Sequence, residues 1–248
     1  GLQDYVTQRL AGERQILLMT HLIVGYPSLD ANRAMLSIMA ANDVDLIELQ
    51  MPFTEPVADG PTFVRANQES LATGLKVDDY FDFLAEAGGV CAFPRLFMGY
   101  YNPILTYGVE RFVDGCADAG LDGLIVADLP PEESHRIRVA LRARGMALIP
   151  LLAPTSTEER IELGTSGAEG FVYCVSVAGV TGARAELPES LPAFVARVRV
   201  HTSLPIAVGF GVSERRHVEA IGAVADAAVD LDHERYLIVG GQDGIPGG

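Results

Sequence analysis

Short apolar runs recur along the chain, and each is followed by a longer stretch whose apolar positions fall at helical spacing. Eight such runs read as strands, over 16–23, 46–49, 95–98, 123–126, 148–152, 170–175, 206–208 and 227–231. Helices are expected over 2–10, 30–41, 61–72, 77–87, 109–119, 131–143, 191–200 and from Ser213 to about Ala223. Ser28 is placed to cap the second of these, Pro131 to occupy a first turn, and Ser156 with Glu159 to form a capping box that opens one more. Asn102-Pro103 marks the end of the third strand. Strands that are apolar throughout need cover on both faces, which calls for a parallel sheet wrapped by helices. Closed, eight β/α units make a (β/α)8 barrel. An open doubly wound sheet would favour a G-x-G-x-x-G turn after the first strand, and none is present. The 248 residues suit one such barrel, and 49% hydrophobic residues can fill its core. No linker or composition shift divides the chain, so one domain over 1–248 is expected.

The formal charge of −15 disfavours nucleic acid and anionic membrane as partners. Cys91, Cys116 and Cys174 are widely spaced and odd in number, which reads as small buried thiols in a reduced compartment. No run approaches a bilayer span, and the first residues carry no signal-peptide pattern, so a cytoplasmic setting is expected.

In such a barrel the chemistry gathers on the loops that follow the strands. The richest loop here follows the second strand and runs from Glu48 to Pro61. Glu48 lies inside the apolar run Leu46-Ile47-Glu48-Leu49, where a carboxylate is costly unless partnered or protonated. That is a setting for general acid–base work, although pairing with a neighbouring donor would explain it too. Asp59, before Gly60-Pro61, fits a catalytic role or a plain turn. Two small-residue stretches, 176–182 and Gly209-Phe210-Gly211, offer backbone N–H groups that suit an anion.

Several stretches together resemble the α subunit of tryptophan synthase. They are Gly25-Tyr26-Pro27-Ser28, Ile47-Glu48-Leu49-x-Met51-Pro52-Phe53, Ala58-Asp59-Gly60-Pro61, Met98-Gly99-Tyr100-Tyr101-Asn102-Pro103, Asp128-Leu129-Pro130-Pro131, Ala153-Pro154-Thr155-Ser156, Gly179-Val180-Thr181-Gly182 and Gly209-Phe210-Gly211. The likeness runs in order over about residues 15–229. It implies a TIM barrel, a cofactor-independent retro-aldol cleavage of indole-3-glycerol phosphate, and a β-type partner subunit. Carried over by motif, Glu48 resembles the proton shuttle and Asp59 the group that holds the indole N–H. Tyr100, Asp128, Tyr173 and Thr181 resemble active-site neighbours, and Gly182 and Gly211 resemble parts of a phosphate cradle.

The same resemblance exposes departures at the site. His21 stands where the family often has Phe, Ile23 where it has Thr, Gln50 where it has Gly, and Val177 where it has Arg. Glu55 replaces the Asp of the loop that meets the β subunit, and the C-terminal end reads as shortened. Leu231-Asp232 align with the family's phosphate-gripping Gly-Ser. At ~4 Å and an effective dielectric near 20, each unit of like charge beside a phosphate costs on the order of 4 kcal/mol. The leading expectation is therefore a diverged lyase that keeps Glu48 and Asp59 for C–C cleavage, or for a related rearrangement or cyclisation, on a small indole-like substrate lacking the usual phosphate. The alternatives are a genuine α subunit and a non-catalytic subunit that activates a β-type partner.

Overall fold

The computed structural model describes residues 1–12, 16–175, 188–209 and 215–230. Its strands are β1 (Leu17–Ile23), β2 (Leu46–Gln50), β3 (Arg95–Gly99), β4 (Gly123–Val126), β5 (Ala147–Ile149), β6 (Leu151–Leu152), β7 (Val172–Val175), β8 (Ile206–Gly209) and β9 (Ala227–Asp230). They pair in parallel in the order β5-β4-β3-β2-β1-β9-β8-β7-β6. The two terminal members of that order are separated in the chain only by Pro150. Proline has no N–H to contribute to a ladder, yet the Pro150 carbonyl still accepts the Tyr173 N–H at 3.0 Å. β5 and β6 are thus two halves of the expected fifth strand, and the sheet closes through them into a (β/α)8 TIM barrel.

Side chains alternate between the two faces of a strand. Leu17 and Met19 of β1, Leu46 of β2, Leu96 and Met98 of β3, and Ile125 of β4 meet inside the barrel, while Leu22, Ile47, Leu49 and Leu124 pack outward under the helices. The leading helix, Leu2–Ala11, closes the bottom by packing Leu2 and Val6 against this inner cluster. Asp45, buried just before β2, ties that helix down. Its carboxylate accepts from Arg9 Nε at 2.8 Å and from the Leu18 N–H at 2.9 Å.

Several local expectations need adjustment. Ser28 does cap the helix Leu29–Ala41, its hydroxyl accepting from the Ala31 N–H at 3.1 Å. Asn102-Pro103, by contrast, lies in a short helix, Tyr101–Tyr107, because proline is tolerated in a first helical turn. Thr157, not Ser156, caps the helix Glu158–Thr165, while Ser156 Oγ accepts from the Ala153 N–H. Pro131 opens a single 3-10 turn, Pro131–Glu133, ahead of the helix His135–Ala143. The expected Ser213 cap lies outside the described residues. Cys91, Cys116 and Cys174 are buried free thiols. Among the described residues no helix is long and apolar enough to cross a membrane.

Arg95, at the start of β3, is 8% exposed. Its guanidinium donates to the carbonyls of Leu84, Ala119 and Gly120 at 2.7, 3.1 and 2.7 Å. It thereby fastens the C-terminal ends of the helices Val77–Gly88 and Val109–Asp118 to the barrel bottom. Arg95→Met should strand these carbonyls and lower stability by roughly 2–3 kcal/mol in denaturant titrations, at about 1 kcal/mol per lost bond.

Candidate active site

β1 and β2 lie in a parallel register that pairs Met19 with Leu46, His21 with Glu48, and Ile23 with Gln50. Met19 and Leu46 face the barrel interior, so by alternation His21 and Glu48 face it one layer higher, at the end where the loops follow the strands. His21 Nδ1 lies 2.7 Å from Glu48 Oε1, with the two side chains 2% and 0% exposed. The His21 ring stands edge-on to Phe63, 5.1 Å between centroids. Glu48 Oε2 is buried and has no hydrogen-bond partner among the described residues.

Asp59 reaches the same mouth from the loop after β2. It directly precedes Gly60, the N-cap of the helix Pro61–Ala72, which makes no side-chain cap bond. Its side chain is turned inward instead of serving the turn. Oδ2 accepts from Gln50 Nε2 at 2.8 Å and from Asn67 Nδ2 at 3.2 Å. Tyr100 adds a further hydrogen bond, and its hydroxyl also accepts the Ala58 N–H at 3.2 Å. Burial pushes the Asp59 carboxyl above the usual aspartate range, against the opposing effects of the Gln50 bond, the charge of His21 and the bonds from Tyr100 and Asn67.

Gln50 is therefore turned toward Asp59, its amide nitrogen engaged and its Oε1 without a partner among the described residues. Ile23 is packed with Phe63, Ala66 and Tyr26. Burial, with a smaller effect from Glu48 nearby, holds the hydroxyl of Tyr173 on β7 well above the ordinary range. A Cβ on Gly209 would collide with the buried Tyr173 ring and hydroxyl, so glycine fits beside it. Asp128 accepts the Tyr101 N–H at 2.7 Å and so caps the helix Tyr101–Tyr107 while lining the mouth. A cavity of about 520 Å³ opens there between Ala58, Ala127, Asp128, Leu151, Ala153 and Val175. Val177, Thr181, Gly182, Gly211 and Asp232 lie outside the described residues.

The residue that sequence reasoning missed is Asn67. It is fully buried and holds four groups at once. Besides donating to Asp59, it donates to the Phe63 carbonyl at 2.8 Å and accepts the Phe53 N–H at 2.9 Å and Gln50 Nε2 at 3.5 Å. Its signal was present, since Phe63, Ala66, Asn67 and Ser70 form the buried stripe of their helix. A polar residue on such a stripe needs a partner inside. Ser70 follows the same rule and donates to the Val24 carbonyl at 2.7 Å.

Comparison with known proteins identifies the family. The family model described as tryptophan synthase alpha chain matches residues 7–230. The tryptophan synthase alpha chain of Syntrophotalea carbinolica is 44% identical over 228 residues, spanning 92% of this chain and 90% of its own length. That of a Roseiflexus species is 48% identical over 229 residues, spanning 92% and 87%. Among solved structures, a chain of Mycobacterium tuberculosis tryptophan synthase superposes with a TM-score of 0.85 at 34% identity, covering 92% of this chain and 87% of that one. Matched over nearly its whole described length and close in sequence to several members, the chain belongs to the tryptophan synthase alpha chain family of carbon–carbon lyases.

Proposed function

We propose that the chain cleaves indole-3-glycerol phosphate to indole and glyceraldehyde 3-phosphate, with Glu48 and Asp59 as its acid–base pair. The observation that carries this reading is the convergence of two buried carboxylates on one barrel mouth, Glu48 held by His21 and Asp59 by Gln50 and Asn67. Protonated Glu48 delivers its proton to the indole ring carbon that bears the glycerol chain. The ring nitrogen becomes cationic, and the Asp59 carboxylate stabilises that charge through the N–H. Glu48, now anionic, takes the proton of the adjacent chain hydroxyl. The C–O bond becomes a carbonyl, the C–C bond breaks, and its electron pair returns to the ring to restore indole. Glu48 ends protonated, so one proton is given and one is recovered. Tyr100, Tyr173, Asp128 and Ile23 surround the substrate in this reading, and Thr181, Gly182 and Gly211 belong to its phosphate end.

This reading displaces the expectation of a substrate without phosphate. That expectation leaned on changed residues at the site, yet Gln50 and His21 turn to the carboxylates themselves. Ile23 packs with Phe63, Ala66 and Tyr26, and the departures at Val177, Leu231 and Asp232 lie outside the described residues. The close relatives carry the alpha chain name over most of their length. On the same ground a β-type subunit is the proposed partner that consumes the indole.

The purified chain should release indole from indole-3-glycerol phosphate, faster when a β subunit is added, and bind that substrate more tightly than its dephosphorylated analogue. Preference for the dephosphorylated form would instead favour the other substrate class. Glu48→Gln should lower the rate by a factor on the order of 100 to 10,000, the usual worth of a general acid–base group. Unchanged β stimulation without any cleavage, in wild type and variant alike, would mark the chain as a partner-activating subunit only.

Asp59 also predicts a stability effect. Its folded-state pKa is raised above the unfolded value near 3.8, so ionisation of the folded protein is opposed by burial. Its contribution is fully present below the unfolded pKa and is lost as pH rises through the folded one. Asp59→Asn should therefore melt higher than wild type at neutral pH while losing activity. The gap should close in acid, where Asp59 is protonated in both states.

A further inference from the structure

We propose that His21 is a positioning residue of this reaction, holding Oε1 of Glu48 with an Nδ1–H donor so that Oε2 alone exchanges protons with the substrate. The inference rests on the reading of Glu48 as the proton shuttle. The contact itself comes from the register of β1 and β2, which sets the two residues opposite each other with 2.7 Å between Nδ1 and Oε1. The ring has little freedom, being 2% exposed and set edge-on against Phe63.

A shuttle must be neutral before it gives its proton and anionic afterwards. An Nδ1–H donor fits both forms. In the neutral acid it occupies Oε1, so the acidic proton sits on Oε2. Oε2 is also the oxygen with no partner among the described residues. In the anion the same bond becomes charge-assisted and strengthens, which favours the state reached as the ring carbon is protonated. The His21 proton stays on Nδ1 throughout, and the one proton that moves leaves Oε2 for carbon and returns to Oε2 from the hydroxyl. The ionisable groups around the pair are Glu48 on β2, Asp59 from the following loop, whose carboxyl interacts with the His21 charge, Tyr173 on β7, which feels Glu48, and Tyr100 on Asp59.

Two substitutions and one spectrum test the proposal. His21→Phe keeps a flat ring but has no donor. Its kcat for indole release should fall roughly 10- to 100-fold, the worth of one charge-assisted hydrogen bond in the transition state, with KM nearly unchanged. Its kcat–pH profile should move to higher pH, because the carboxylate has lost a donor that favours its charged form. His21→Asn, which can place an amide N–H near the Nδ1 position, should recover most of both. A His21→Phe protein with wild-type kcat and profile, or with only KM altered, would overturn the proposal. Nitrogen-15 histidine spectra of the intact wild-type chain, without substrate, should show a proton on His21 Nδ1 whose resonance moves in Glu48→Gln. A bare Nδ1 would overturn the proposal even if His21→Phe fails to fold. Because the spectrum needs no turnover, a bonded Nδ1–H in a chain that releases no indole would sink the proposed reaction and leave the contact standing. Indole release with an insensitive His21 would do the reverse.

Discussion

The parallel register of β1 and β2 is the constraint on which the mouth of this barrel depends. It pairs His21 with Glu48 and Ile23 with Gln50, on strands whose inner positions lower down are filled by Leu17, Met19 and Leu46. A slip of one residue on β2 would turn Glu48 out among the helices and bring Ile47 or Leu49 into the mouth, and the same slip on β1 would turn His21 away from it. Burial of the apolar positions on both faces of each strand therefore keeps the carboxylate where it is. The site is held by the same packing that holds the barrel.

The two ends of the barrel treat buried charge differently. At the bottom, Asp45 meets Arg9 and the Leu18 N–H, and the Arg95 guanidinium meets three carbonyls, which are the satisfied networks that stabilise a fold. At the top, Glu48 Oε2 and Gln50 Oε1 are buried with no partner among the described residues. Leaving acceptors bare costs stability. The end of the strands where (β/α)8 enzymes react is where that cost falls. Asp59 has the same character, since burial pushes it toward its neutral form while Gln50, Asn67 and Tyr100 oppose the push.

Much of the fold was legible along the chain because periodicity is a local property. Apolar runs and turn residues placed β4 at Gly123–Val126 and located its fellow strands within a residue or two. The misreadings came where one residue type serves two settings. Pro103 looked like a terminator but sits in a first helical turn, and Ser156 resembled a cap while Thr157 takes that role. Pro150 splits the fifth strand, which composition alone did not indicate. The site was legible as a pair of acids, and the resemblance to a family raised it above its local ambiguity.

By itself the sequence determined the alternation of strands and helices, the barrel class, and Glu48 as a charge set in an apolar strand, because each follows from spacing along a few residues. Only the tertiary structure decided who faces whom. Nothing local says that a histidine 27 positions before Glu48 will bond to it, that Gln50 will turn to Asp59, or that Asn67 will gather a loop and a carboxylate together. Those contacts exist because sheet pairing and helix packing bring distant residues within hydrogen-bond range inside a space that excludes water. There a polar group must find a partner or bear the cost of having none.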